Sequence, residues 1–340
     1  MKVSVLLGVF GGFALAIYLF VYYGLEAIGT AFAAVGWSGL AALCGVHLVS
    51  VLLCALAWQA LLVQMPPGSP WAFVWARWLR DSTGNLLALL PTAGEVIAAR
   101  ELTFHGVQLG LAGATTIIDL TIEILSQLLF TLLGLGLLLA HRPGTAGVWW
   151  ALGGLALAML AVAGFVKVQR NGLFRLLNKL PAQLGLRRHF ETFVELARID
   201  AAIQQIYLHP IRIATSITLH FAAWLAAAAE TWLGLKLMGY PLRFTDALVI
   251  ESLVFALRSA TFVVPWAAGV QEGGYLMLGA LFGLRPDVSL ALALLKRARE
   301  IVIGLPALLM WQGSEYRRFL RRSDRFWRRM PSADIREPHS

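Results

Sequence analysis

Two apolar stretches each carry a proline, glycines and charged residues in close order. In "LLALLPTAGEVIAARELTFHG", Pro91 and Gly94 precede Glu95, Arg100 and Glu101. In "FVVPWAAGVQEGGYLML", Pro265 and Gly269 precede Gln271, Glu272, Gly273 and Gly274, with Arg258 just upstream and Lys296, Arg297, Arg299 and Glu300 in a later "LLKRARE". A carboxylate held in apolar surroundings can keep or pass a proton. Arginine presents planar, directional donors that match a phosphate, and lysine a compact positive charge. Each group also has a structural use. Glu95 and Glu272 open helical segments, where free backbone N–H groups favour a carboxylate as a cap. Lys296 and Glu300, four residues apart, share a helix face and can pair with each other.

"IIDLTIEIL" adds Asp119 and Glu123, also four apart on one face. Such a pair can separate its titrations and relay a proton, or it can answer an Arg or Lys of another helix. His47, His105 and His220 lack metal-ligand spacing and read as polar helix contacts; no metal and no cofactor is expected. Cys44 and Cys54 are ten residues apart, about 15 Å along a helix, too far for a disulfide. "GVQEGGY" is neither a dinucleotide fingerprint nor a phosphate loop, because it follows no strand. Gly273 and Gly274 suit close helix packing or ligand approach. Trp71, Trp75, Trp78, Trp149 and Trp150 read as anchors at the membrane interface.

These groups stand in a chain of 340 residues that is 59% hydrophobic and only 14% charged. Soluble domains carry roughly 25% charged residues, so an ordinary soluble enzyme is excluded and an integral membrane protein expected. The net charge of +9 does not point to nucleic acid. Eight Lys/Arg against three Asp/Glu fall between Lys167 and Arg212, and seven Arg against two acids between Glu315 and Arg329. Both excesses border apolar segments, as positive cytoplasmic loops do.

Apolar runs at 4–24, 39–62, 114–139, 147–166, 212–237 and 288–312 are long enough to span a bilayer as helices. The first is too long for a signal-peptide core and reads as an uncleaved span. The stretches 71–112 and 244–284 are broken near their centres and read as helix, break, helix hairpins. Residues 270–284 make only about 22 Å of helix against a core of roughly 30 Å. The arm from Asp81 to Leu90 is shorter still, unless Arg77 and Arg80 snorkel at the interface and lengthen it. The expected fold is therefore all-α and polytopic, with about six full spans and two re-entrant hairpins of opposite orientation; eight to ten spans are the alternative. Cytoplasmic basic loops put both termini inside. A single transmembrane domain of 1–312 would include a cytoplasmic amphipathic linker, 167–211, lying against the membrane, and 313–340 would form a basic cytoplasmic tail. Arg80, Pro91, Gly94 and Glu95 loosely parallel Arg258, Pro265, Gly269 and Glu272, a hint of the inverted symmetry that places transporter sites near the midplane.

The two broken segments and "LLKRARE" resemble the membrane-embedded domain of lysylphosphatidylglycerol synthases, and more narrowly the hopanoid-biosynthesis-associated branch of that flippase-like family, over most of residues 1–312. The resemblance implies a multipass protein of the bacterial inner membrane that moves amphiphilic lipid between leaflets. It nominates Glu95, Arg100, Glu101, Arg258, Gln271, Glu272, Arg297 and Arg299 as substrate-binding or coupling residues. The family's fused enzymes carry a separate aminoacyltransferase domain, for which there is no room after residue 312, so lysyl transfer is not implied. Translocation of a hopanoid or its precursor is the leading expectation. An enzyme acting on a polyprenyl-like or phospholipid substrate, and a scaffold for lipid-modifying enzymes, are the alternatives. The expected partners are membrane lipid and lipid-biosynthesis enzymes.

Overall fold

A computed structural model describes residues 25–62, 70–87, 92–141, 148–171, 190–261 and 267–327. The described residues form ten helices: α1 (Leu25–Ala60), α2 (Pro70–Leu86), α3 (Ala93–Phe104), α4 (Leu109–His141), α5 (Val148–Arg170), α6 (Phe190–Tyr207), α7 (Pro210–Leu237), α8 (Phe244–Ala260), α9 (Val270–Leu281) and α10 (Pro286–Trp327). The expected span at 4–24, Pro91 and Pro265 lie outside the described residues. Proline begins α2, α7 and α10, where its missing N–H has no intrahelical partner to lose and its fixed φ suits the first turn.

Parts of α1, α4, α5 and α7 are long and apolar enough to cross a membrane. α1 kinks at Gly36, and its membrane-length part runs from Phe32 to Ala60, starting before the expected 39–62 span. Both broken stretches form two helices each, α2 with α3 and α8 with α9. α10 runs for 42 residues, through Pro306 and without a break at residue 312. At 1.5 Å per residue that is about 63 Å, roughly twice the hydrocarbon thickness. The basic segment after the expected 288–312 span is thus its helical extension.

α6 packs on α4, and Ile203 and Ile206 are buried in a cluster with Trp58, Phe73, Ala98 and Leu102. Ile199 packs on that cluster, and Gly113 leaves room for its side chain. The C-terminal half of α6 therefore packs into the protein interior through Ile203 and Ile206.

Two apolar clusters organise the bundle. One joins the end of α1 to α2, α3, α4 and α6; the other joins the start of α1 to the end of α7, α8, α9 and α10. In lipid, leucine against leucine gains little over leucine against acyl chain, so close packing and polar contacts must fix the helices. Glycines supply the close packing. Gly134 admits Ser252 of α8 so tightly that a Cβ would lie 1.8 Å from its Oγ, and a Cβ on Gly94 would lie 2.7 Å from the backbone oxygen of Arg80. Gly94→Ala is accordingly expected to push α3 from α2 at a cost of about 1–3 kcal/mol, read as a lower unfolding temperature in detergent.

Candidate functional site

Along α1, His47, Ser50, Val51 and Cys54 fall between residues of the two apolar clusters, Leu43 on one side and Trp58 on the other. Along α7, residues 223–230 fall likewise between Ile217 and Leu233. These stretches lie at mid-length of membrane-length helices, and they line a cavity of about 200 Å³. The remaining walls come from α2, α4, α8 and α10. Arg77, Arg258, Lys296 and Arg299 face Asp81, Glu123, Glu230, Glu251 and Glu300 across it.

The first half of this charge network spans α2 and α4. Arg77 and Arg80 are three apart on α2, and Asp119 and Glu123 four apart on α4, so both pairs present themselves from one face. Arg77 donates to both Glu123 oxygens at 2.9 and 2.6 Å and to Asp81 at 2.9 Å. Arg80 donates to Asp119 at 2.7 Å and Glu123 at 2.8 Å, and its Nε lies 3.5 Å from Glu95. His220 of α7 meets the other Asp119 oxygen at 2.9 Å. Arg77 and Arg80, which would lengthen the arm only by snorkelling, turn inward instead: both are 5% exposed and between them meet Asp81, Glu95, Asp119 and Glu123. Asp119 and Glu123 serve the pairing role.

The second half spans α7, α8, α9 and α10. Glu251, fully buried, accepts from Lys296 Nζ at 2.6 Å, Thr231 at 2.5 Å and Tyr275 at 2.8 Å. The expected pairing of Lys296 with Glu300 gives way to this inter-helix contact. Glu300 turns to Arg258 at 3.7 Å and Arg297 at 3.4 Å. Glu230 holds Arg299 at 3.1 Å, with His47 Nδ1 at 3.5 Å and Lys296 at 4.0 Å. Glu272 accepts from the Gly269 backbone N–H at 2.8 Å and faces Arg297 at 3.4 Å, so it caps α9 and belongs to the charge network together. Gly269 has φ 75°, a conformation glycine adopts at little cost.

The nominated residues fall into three places. Arg258 and Arg299 line the cavity, with Glu272 and Arg297 behind them through Glu300. Gln271 is fully buried beside Glu272, and its carboxamide meets no hydrogen-bond partner among the described residues. Gly274 packs on Val254 and Leu257, whereas a Cβ on Gly273 would meet open space. Glu95 borders the first half of the network. Arg100 and Glu101 lie elsewhere, in a clasp between α3 and the extension of α10: Glu101 accepts from Arg318 at 2.6 and 3.0 Å, and Arg100 donates to Glu315 at 2.9 Å. The Glu101 hydrogen bond holds the Arg318 guanidinium above its ordinary pKa. His105 Nδ1 lies 2.9 Å from the Glu101 backbone oxygen.

Sequence reasoning left Arg77, Asp81, Glu123, Glu230, Glu251, Lys296, Glu300 and His47 outside the nominated set. The useful signal is the spacing of Lys296, Arg299 and Glu300, three and four apart on one face of α10. The tryptophans also divide. Trp71 and Trp149 are exposed at helix starts, as anchors should be, but Trp75 donates to Glu101 at 3.4 Å and Trp78 to the Ile303 backbone at 3.0 Å.

Cys54, Glu123 and His220 place ligand-capable atoms within 4.8 Å of one another. Glu123 is already bound by two guanidinium groups, and a divalent cation would meet their charge as well as their hydrogen bonds. The donor set does not fit a resident metal. Both cysteines are free.

A family model described as the lysylphosphatidylglycerol synthase TM region matches residues 4–307. The chain belongs to that family. Comparison with curated proteins and comparison with solved structures each give no match. For a member of the lysylphosphatidylglycerol synthase membrane-region family, the ten described helices and the four of membrane length make a polytopic α-helical protein of the bacterial inner membrane, with a lipid-handling, flippase-like function.

Proposed function

We propose that this protein moves an amphiphilic lipid between the leaflets of the inner membrane, passing the headgroup through the central charged cavity without covalent chemistry. The observation that carries this reading is the cavity's place: mixed charge at mid-depth of membrane-length helices, fed by both broken hairpins. Charges in such a position are costly and are retained where they serve a pathway. The volume, about 200 Å³, falls below the roughly 300 Å³ of the smallest typical ligand pockets, so it suits a headgroup while the apolar body stays in lipid. The two hairpins are read as re-entrant from opposite faces, with about six full spans around them and both termini cytoplasmic. Arg100 and Glu101, in the α3–α10 clasp, take the coupling role; Arg258 and Arg299 meet the headgroup. A hopanoid or its precursor is the proposed cargo, and lipid-biosynthesis enzymes the proposed suppliers.

Proteoliposomes containing fluorescent phospholipid and hopanoid analogues test this directly. Faster loss of outer-leaflet-quenchable signal than in protein-free vesicles is expected for at least one of them. Folded protein that accelerates none of the panel overturns the reading, and a chemically altered lipid would replace translocation with catalysis.

A further inference from the structure

Two contacts of His47 depend on which ring nitrogen carries a proton. Its Nε2 lies 3.1 Å from Nη1 of Arg299 and its Nδ1 3.5 Å from a Glu230 oxygen. A guanidinium nitrogen only donates, so Nε2 must accept with a lone pair. The single ring proton then sits on Nδ1, toward the Glu230 carboxylate. A second proton on Nε2 would aim N–H at N–H and set two cations 3.1 Å apart. The contact with Arg299 exists only while His47 is neutral.

We propose that His47 is a proton-binding site of the cavity, and that its protonation drives the Arg299 guanidinium off the imidazole, giving lipid exchange a proton-dependent step. The lipid part rests on the translocation reading; the proton switch stands on its own geometry. Arg299 Nε stays on Glu230 at 3.1 Å, and Arg299 and His47 both line the cavity, the space into which a guanidinium displaced from the ring would turn. With His47 charged, that end of the guanidinium becomes an open donor for an anionic headgroup. The imidazole is 20% exposed, so a proton can reach it.

The surrounding charges pull in both directions. Glu230 on α7, Asp81 on α2, Glu300 on α10, Glu251 on α8 and Glu123 on α4 favour a cationic ring. Arg299 and Lys296 on α10, Arg77 on α2 and Arg258 on α8 oppose it. On α1 itself the titratable neighbours are Cys44, which the charge of Arg299 reaches, and Cys54. Arg299 is the cation in direct contact with the ring.

The test uses the full-length protein in phosphatidylethanolamine–phosphatidylglycerol vesicles with a pH-sensitive dye inside, following exchange of a fluorescent phospholipid with and without a pH gradient. Histidine changes charge between about pH 5 and pH 8. The expected result is a rate that changes several-fold with the gradient, accompanied by dye-reported proton movement. His47→Gln offers one donor and one acceptor to the same partners but takes up no proton, and should bring the with-to-without-gradient ratio to one. A merely structural role would slow both conditions and leave the ratio unchanged. That result, or a wild-type rate indifferent to the gradient, overturns the coupling. Nitrogen-15 spectra of histidine- and arginine-labelled protein in bilayers give an independent readout. Protonation of Nε2 with a shift of the Arg299 guanidinium signal supports the switch even if no lipid exchanges, in which case the translocation reading alone falls. A ring that keeps its Arg299 hydrogen bond across that range overturns the switch.

Discussion

Lys296→Met is expected to cost about 3–5 kcal/mol of stability and to abolish lipid exchange. The ammonium lies 2.6 Å from a Glu251 carboxylate that has no exposure of its own. Thr231 and Tyr275 both donate to the second oxygen, so the carboxylate is satisfied only while it is charged and the ammonium is present. Lys296 Nζ also lies 4.0 Å from Glu230, so its removal leaves two carboxylates without the cation that they share. Lys296→Met combined with Glu251→Gln removes both charges, and the amide oxygen can still accept from Thr231 and Tyr275. The double variant is therefore expected to recover most of the lost stability in a detergent unfolding assay. Recovery of stability without recovery of exchange assigns the pair to headgroup handling. Recovery of both confines it to holding α8 against α10.

Much of this arrangement is legible in the sequence, and the limits have physical causes. Helices α4, α5 and α7 announce themselves because apolar length in lipid admits little else. The hairpin breaks are legible because proline and glycine act locally. The helical continuation of α10 past residue 312 is not legible: its composition is that of a basic tail, and it is held by contacts more than 200 residues away, such as Arg318 with Glu101. The buried face of α6 is hidden from the sequence for a related reason. Its charges suggest a surface strap, yet Ile199, Ile203 and Ile206 sit three and four apart and find a partner face on α4 that only the tertiary structure supplies.

The candidate site shows the same division. Spacing within one helix puts Asp119 and Glu123 on one face, and Lys296 and Glu300 on another. It cannot say which helix brings the counter-charge, and so Lys296 looks like a partner for Glu300 when it belongs to Glu251. Arg100 and Glu101 look equivalent to the cavity residues because they follow a similar break, but the turn of α3 carries them outward to the α10 extension. The parallel between the hairpins is likewise incomplete. Arg80 faces Glu95 within its own hairpin, whereas Arg258 faces Glu300 and Glu272 faces Arg297.

Arg80→Met should be the second most damaging change, and its consequences reach the first hairpin as a whole. One guanidinium meets Asp119 at 2.7 Å, Glu123 at 2.8 Å and Glu95 at 3.5 Å, so it ties α2 to both α3 and α4. Asp119 is fully buried; after the change it keeps, among the described residues, His220 at 2.9 Å and Arg77 at 3.8 Å. A loss of about 3–5 kcal/mol is expected. Arg80→Lys should fall between this variant and the wild type, because an ammonium cannot span three carboxylates in different directions. Glu95→Gln separates the two functions of the contact. Glu95 is the most exposed and most distant of the three acids, so its loss should cost about 1 kcal/mol or less. If the contact holds the hairpin during each exchange cycle, the lipid exchange rate of Glu95→Gln will change several-fold despite that small stability effect. An unchanged rate would make Arg80 and Glu95 a packing device, and leave Arg258 and Arg299 to carry the headgroup alone.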